Sequence, residues 1–421
     1  MTLSAKSILS KLQEIVPDLE FLYKDIHSHP ELSMQEVRTA GLVVDILNKN
    51  GYEVFQGIGK TGVVGILRNG QGPTVMLRTD MDALPASEKT NLPYASKVTA
   101  TDSNGISVPV MHACGHDMHV TWLIGAAQLF SQTKDAWNGT LIMLFQPSEE
   151  TGKGAQAMVD DGLTKRFPKP DIILGQHVMV GPAGVIGWVP GTVTSTSDSM
   201  EIKLFGRGAH GSMPQASIDP VVMAASVVLR LQTIVSREVA PSSFAVVTVG
   251  SLQAGTKDNV IPDEAVVKLN VRTRSEGVRS KILSSIIRIA DAEASASGAQ
   301  KKPEIHQFEH YALVTNDPDA THKVVDSFTT YLPESRVKEV EATSASEDFG
   351  VIGTAFNSPS VFWFVGSTDP DLFEKAKNED KIDEIPTNHN PGFAPVIHPT
   401  LETGVQTLVL AAGAWVFKQN S

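Results

Sequence analysis

Nine residues, MHACGHDMH from Met111 to His119, hold three histidines, an aspartate and Cys114, the only cysteine of the chain. Thiolate, imidazole and carboxylate together suit a borderline divalent metal such as zinc, with manganese, cobalt and nickel also compatible. Cys114 and His116 stand two apart, so an extended segment presents both to one side. A second cluster lies in FQPSEE, where Glu149 and Glu150 follow an apolar run and a Gln-Pro turn. Adjacent carboxylates cannot face the same way on a regular element. One is then available to hold a metal while the other faces substrate as a general base. Metal-assisted hydrolysis needs that division of labour, because a metal lowers the pKa of a water and a neighbouring carboxylate takes its proton. Asp80 and Asp82 close the run TVMLRTDMD, and His177 closes DIILGQH. Singly, these features have ordinary readings: a free cysteine is usually a small buried hydrophobe, and paired glutamates are usually solvated. Their placement together is what points to a site. His27, His29, His306 and His310 read as structural.

The elements that must position these residues alternate. VVGIL, TVMLRTD, TLIMLFQ and DIILGQH read as buried strands, and SMQEVRTAGLVVDILNKNG as a helix with Gly51 just past its end. MHACGHDMH precedes an apolar helix that Asp117 is placed to cap. Strands alternating with helices predict an α/β domain with a mainly parallel mixed sheet covered by helices. In such sheets ligands bind beyond the carboxyl ends of the strands. Asp80, Asp82, Glu149, Glu150 and His177 all fall there, so the clusters converge on one crevice.

From about Gly191 the texture changes. The strand MEIKLFG, the helix DPVVMAASVVLRLQTIVSR with Asp219 as N-cap, and the strand SFAVVTVGSL come first. The half-exposed strand EAVVKLNVRTR, the helix SEGVRSKILSSIIRIADAEASASG and the strand KPEIHQFEHY complete a β-α-β-β-α-β order, the ferredoxin-like arrangement. An α+β domain at 191–310 is therefore read as inserted into a catalytic domain made of 1–190 and 311–421. Within the insert, GRGAHGSMP sets His210 between glycines, which let a ligand approach the backbone closely, and GTKDNVIPD puts Asn259 in a turn. DPDLFEKAKNEDKIDEIPTN reads as a polar surface excursion.

Composition narrows the function. A formal net charge of -12 over 421 residues argues against a nucleic-acid partner, which needs a basic face. One cysteine excludes an internal disulfide and fits a reducing compartment. The first twenty residues lack the unbroken apolar core of a signal peptide. Runs such as VTWLIGAAQLF and TLVLAAGAWVF are shorter than the roughly 20 residues a bilayer requires. The expectation is a soluble, cytoplasmic protein without a membrane partner.

With these residues in hand, the sequence resembles the di-metal aminoacylase and carboxypeptidase superfamily. Within it, the chain is most similar to the hippurate hydrolases, bacterial N-acyl-amino-acid amidohydrolases and plant auxin-amino-acid conjugate hydrolases. The likeness covers nearly the whole chain. It rests on HSHPELS, RTDMDALP, MHACGHDMH, FQPSEETGKGA, GQHV, GRGAHGSMP, NVIPD, SASEDFG and NHNPGF, in that order. The resemblance implies a catalytic domain holding two divalent ions (zinc, manganese, cobalt or nickel) and an inserted lid that dimerises. It places Cys114, His116, Glu150, His177 and His389 on the metals, with Cys114 bridging, and gives Glu149 the general-base role. His389 is preferred over His398 because it matches the family's His-x-Pro-x-Phe. Asp82 resembles the carboxylate that orients a ligand imidazole. His210 resembles the lid histidine that reaches a neighbouring subunit's site and stabilises an oxyanion, and Asn259 and Arg272 resemble residues that hold a substrate carboxylate. Asp80-Met81-Asp82 and ACGHD mark the amidohydrolase branch. The implied activity is hydrolysis of the amide bond of an N-acyl-L-amino acid, by a homodimer. A dipeptidase, a carbamoyl-amino-acid hydrolase or a non-catalytic binding homologue are the alternatives.

Overall fold

The structure, a computed structural model, describes residues 3–418. It divides into two units. One comprises the chain before Thr194, Thr315–Ala342 and the chain from Asp348 on; the other comprises Thr194–Val314 and Thr343–Glu347. The short return Thr343–Glu347, for which the sequence carried no signal, is tied to the second unit through Ser195 N–H, which donates to Ala345 O at 2.9 Å.

The first unit is built on an eight-stranded mixed sheet. Its strands run Glu53–Ile58, Gly62–Asn69, Gly139–Gln146, Thr74–Asp80, Ile172–Pro182, Ser360–Thr368, Ile186–Trp188 and Val337–Glu339. The strands from Gly139–Gln146 to Ser360–Thr368 are parallel, and Glu53–Ile58 and Gly62–Asn69 join antiparallel at one edge. The central strands read as continuous apolar runs because both faces are covered. Val75, Leu77, Leu141, Met143, Ile172 and Leu174 join one core with the helices, while the alternating Met76, Ile142, Leu144 and Ile173 are equally buried on the opposite face.

The helix His116–Gln132 is buried on nearly every side, packed between the strand Thr74–Asp80 and the helices Leu12–Ser28 and Ile397–Val416. A helix apolar all round belongs in a core. Trp122 fixes its position: the indole N–H donates to Thr400 O at 3.1 Å, and its ring lies against Gly404, where an added Cβ would come within 2.1 Å of it.

The second unit is a four-stranded antiparallel sheet in the order Ala245–Ala254, Glu264–Thr273, Thr196–Phe205, Glu304–Tyr311. The helices Pro220–Thr233 and Glu276–Ala296 pack on it, giving the ferredoxin-like order. Asp219 caps the first helix, accepting from Val221 N–H at 2.8 Å. This helix and its π-helical continuation, Pro220–Glu238, form a stretch long and apolar enough to cross a bilayer, longer than the apolar runs visible in the sequence. Here Met223, Ala224, Val227 and Leu231 bury one face of it in the unit's own core. The expected surface excursion after Thr368 contains a helix, Pro370–Asn378, whose N-cap Asp369 accepts from Asp371 and Leu372 N–H at 3.0 Å.

Two glycine substitutions separate packing from propensity. Gly404→Ala overpacks against the indole and is expected to cost about 1–3 kcal/mol in urea unfolding. Gly41→Ala, on an exposed helical position with nothing within 4 Å of the new Cβ, is expected to gain about 0.5–1 kcal/mol.

Candidate metal centre

The strand Thr74–Asp80 delivers Asp80 and then Asp82, and Gly139–Gln146 runs through Pro147 into the turn carrying Glu149 and Glu150. His177 differs from expectation. It does not close its strand, which continues to Pro182; it lies within it, opposite Phe364. Pairing with the strand Thr74–Asp80 stops at Arg78–Gly175, so on that side the strand beyond is open to other partners.

Cys114 and His116 also meet by another route than alternation. Gly115 turns at φ 84° and His116 opens the helix His116–Gln132. A Cβ on Gly115 would lie 2.3 Å from Val178, and the left-handed φ excludes most side chains in any case. Asp117 does not cap that helix. Its carboxylate accepts from Met118 N–H at 2.9 Å and pairs with His27 Nδ1 at 2.7 Å. His27, buried, bonds Glu88 at 3.0 Å through its other nitrogen. Burial opposes its charge, but the two carboxylates raise His27 to about 9.

Cys114 Sγ lies 3.5 Å from His177 Nε2. Two groups of potential ligands share that sulfur: Cys114, His116 and His177 form one, and Cys114, Glu150 and His389 the other, with the atoms of each within 4.8 Å of one another. The ring nitrogens are sorted by their hydrogen bonds. His177 Nδ1 donates to Val178 O at 2.7 Å and His116 Nδ1 to Asp82 O at 2.9 Å, leaving both Nε2 atoms turned inward. His116 Nε2 and Glu150 Oε1 are buried without a hydrogen-bond partner. His389, at φ 71°, is fixed by its N–H to Ala113 O at 2.7 Å and sits 3.3 Å from Glu150. Its rival His398 bonds Glu402 and Glu20 instead. His119 has no free lone pair: Nδ1 donates to Asp80 at 2.7 Å and Nε2 accepts from Val178 N–H at 2.9 Å.

The electrostatics favour cations. Burial and the Glu150 charge push the Cys114 thiol up, away from the thiolate that ligation requires. Burial, then the neighbouring His119, holds His177 well below its ordinary range, in the neutral form a metal needs. Hydrogen bonds to Cys114 and Glu150 raise His389 to about 10. Two divalent ions fit this donor set. They would satisfy the orphaned Nε2 and Oε1 atoms and lower the thiol pKa.

Asp82 touches His116 through its carbonyl and, at 3.3 Å, through its carboxylate. That carboxylate also accepts from the N–H groups of Glu149 and Glu150, at 3.0 and 3.1 Å. In the second unit, His210 and Asn259 lie together: His210 pairs with Val260 across a two-residue ladder, and Gly211 N–H donates to Asn259 O at 2.8 Å. His210 is exposed, its Nδ1 bonded to Ser212. Arg272 bonds Ser344 O at 2.9 Å and Ser346 Oγ at 3.2 Å, so part of its guanidinium is committed within the unit.

Sequence reasoning passed over Arg78, the buried base of the site. It donates to Asp80 at 2.8 Å, Gln146 at 2.9 Å and Asp348 at 2.9 Å. Asp348 also accepts from Gln146 at 2.7 Å and Ala155 N–H at 3.0 Å. The available signal was a cation inside an otherwise apolar strand, which must be paired if buried. Asn388, which donates to Cys114 O at 3.2 Å and Val178 O at 3.1 Å, carried no such signal.

A thiol shared by two ligand groups, with one glutamate among them and another beside it, is suited to activating water against an electrophilic carbonyl. Fold and site define a metal-dependent amide hydrolase. The model of Peptidase family M20/M25/M40 matches residues 76–387, and the chain belongs to that family. It is 40% identical over 298 residues to the hippurate hydrolase of Campylobacter jejuni, covering 70% of this chain and 75% of that protein. It is 34% identical over 369 residues to thermostable carboxypeptidase 1 of Saccharolobus solfataricus, covering 86% and 89%. Among solved structures, a dinuclear metal binding peptidase of the M20 family from Bacillus subtilis superposes with a TM-score of 0.76 at 29% identity, covering 95% of this chain and 98% of that one. The cofactor is a pair of divalent ions.

Arg78→Ala leaves Asp80 and Asp348 buried without their cation. It is expected to cost about 3–5 kcal/mol in chemical denaturation, with the metal-free protein as the clean measurement.

Proposed function

We propose that the protein hydrolyses the amide bond of N-acyl-L-amino acids, releasing a carboxylic acid and an amino acid. The observation that carries this reading is that two adjacent glutamates reach one site in different company: Glu150 groups with Cys114 and His389, while Glu149 stands beside His116 and Glu150, with its potential ligand atom within 4.8 Å of theirs. Cys114, His116, Glu150, His177 and His389 would hold the ions, Cys114 being common to both groups of potential ligands. When bound, the ions polarise the amide carbonyl and acidify the attacking water. Glu149, buried at 5% exposure, takes the proton of that water and returns it to the leaving amine nitrogen. The relatives named hippurate hydrolase, N-acetyl-L-cysteine deacetylase and IAA-amino acid hydrolase support this substrate class. The mixed thiolate, imidazole and carboxylate set accommodates zinc, manganese, cobalt or nickel.

The active form in this reading is a homodimer joined through the insert, which acts as a lid. Among the described residues the strand Ala245–Ala254 has a strand partner on one side only, and the helix Pro220–Thr233 that packs on its sheet exposes Val222 and Leu229; both features favour association. His210 of one copy stabilises the developing oxyanion at the site of the other. Asn259, with Arg272, holds the substrate carboxylate.

The test is a panel of N-acetyl, N-benzoyl and longer N-acyl amino acids, with dipeptides and N-carbamoyl amino acids alongside. Metal-stripped protein is expected to be inactive and to recover cleavage of N-acyl amino acids on addition of a divalent ion. Turnover confined to dipeptides or carbamoyl compounds rejects the substrate class. Glu149→Ala is expected to retain both ions while kcat falls about 10²–10⁴-fold; wild-type kcat in that variant rejects the mechanism.

A further inference from the structure

The turn that carries both glutamates is held from beneath by a side chain the mechanism above does not use. Pro147 has no N–H. The next three residues, Ser148, Glu149 and Glu150, direct successive backbone N–H groups onto carboxylates: Ser148 to Glu36 at 2.8 Å, and Glu149 and Glu150 to Asp82 at 3.0 and 3.1 Å. Ser148 has φ 53° and ψ 42°, a left-handed conformation that a serine holds only when its surroundings impose it. Glu36 is fully buried and comes from a distant segment. One of its oxygens also accepts from Met34 N–H at 2.9 Å, and the other accepts from the Thr61 hydroxyl at 2.5 Å.

Glu36 stands at the N-cap of the helix Val37–Lys49 yet does not cap it. Glu31 does that instead, accepting from Arg38 and Thr39 N–H, each at 2.8 Å. The carboxylate of Glu36 is thereby released from local service and spent across 112 residues of sequence. The same segment reaches Asp82 as well. Ala83 N–H donates to Glu31 O at 2.8 Å, and Ser33 Oγ donates to Asp82 at 2.6 Å. Burial and the nearby Asp82 charge raise Glu36 to about 7. A buried carboxylate kept beside another is costly, and no hydrogen bond to its own helix accounts for it.

We propose that Glu36 is a positioning residue: its reach to Ser148 N–H sets the left-handed turn that directs Glu149 at the reacting water and Glu150 at the ions. Reach, rather than charge, is what the geometry requires. Glutamine preserves it, because one amide oxygen accepts from both Ser148 and Met34 N–H while the amide nitrogen donates to the Thr61 hydroxyl. Aspartate keeps the charge but is one methylene too short.

The inference rests on the hydrolase reading, so the experiment separates the two. Wild-type turnover of N-acetyl amino acids reads the proposed function. The role of Glu36 is read by two comparisons with wild type on Glu36→Asp and Glu36→Gln: kcat and KM on whichever amide is cleaved, and the visible spectrum of the Co(II)-loaded protein, which reports ligand geometry and needs no substrate. Glu36→Asp is expected to lose about 10–100-fold in kcat, as misplacement of a reacting group does. Its KM should stay within about threefold, and its Co(II) bands should shift. Glu36→Gln is expected to keep kcat within about threefold and the wild-type spectrum. A Glu36→Asp protein matching wild type in both readouts overturns the proposal, as does a Glu36→Gln protein as impaired as Glu36→Asp. If Glu36→Asp does not fold, Glu36→Gln still decides: loss of kcat in the folded, metal-loaded variant means that charge, not reach, is what matters.

Discussion

A single buried guanidinium underlies the metal centre. Arg78 is 2% exposed and its partners Asp80 and Asp348 are wholly buried. Removing three charges from water is expensive, and it is tolerated only where geometry and further hydrogen bonds satisfy every oxygen. Here they do. Asp80 passes the constraint to His119, and His119 passes it to Val178 N–H on the strand Ile172–Pro182. Gln146 ties in the strand Gly139–Gln146, and Asp348 reaches Ala155 beyond the glutamate turn. Three strands, the helices His116–Gln132 and Gly154–Asp160, and Asp348 at the start of another helix are thus registered on one another by one line of paired charges and hydrogen bonds. Every proposed ligand but His389 hangs from an element that this line touches.

Above that line the balance reverses. At the base the carboxylate oxygens of Asp80 and Asp348 all have donors, while the crevice gathers a thiol, three imidazoles and further carboxylates with buried atoms left unpaired. An unsatisfied buried polar atom costs about 1–3 kcal/mol. Ions that satisfy several at once therefore stabilise the folded state, and ligation and folding are linked. The hydrogen bonds made by the far nitrogens of His116 and His177 have already chosen the tautomers, so little reorganisation accompanies binding.

The two units divide the physical work. The first buries its central strands on both faces and gathers its chemistry on those strands, the turns after them and the start of a buried helix. The second is a two-layer unit whose strands alternate between buried and more exposed side chains. His210, in a two-residue ladder, and Asn259, in the adjoining turn, sit among glycines, where a backbone free of bulky side chains can approach a ligand.

Much of this was legible along the chain. The alternation of apolar runs and helical periods announced the α/β layer, and the β-α-β-β-α-β order announced the insert, because burial dictates those periods directly. Cys114, His116, Glu149 and Glu150 stood out because their residue types are costly to bury without a task. What local pattern could not express was long-range pairing. Nothing near Glu36 indicates that it reaches Ser148, and nothing near Asp117 indicates that it faces His27 rather than its own helix. Of the three imidazoles in MHACGHDMH, only the tertiary structure shows that His119 spends both nitrogens on Asp80 and Val178. Types and spacings determined which atoms could bind a metal; the fold decided which lone pairs remained free to do so, because a lone pair is free only when no distant donor has taken it.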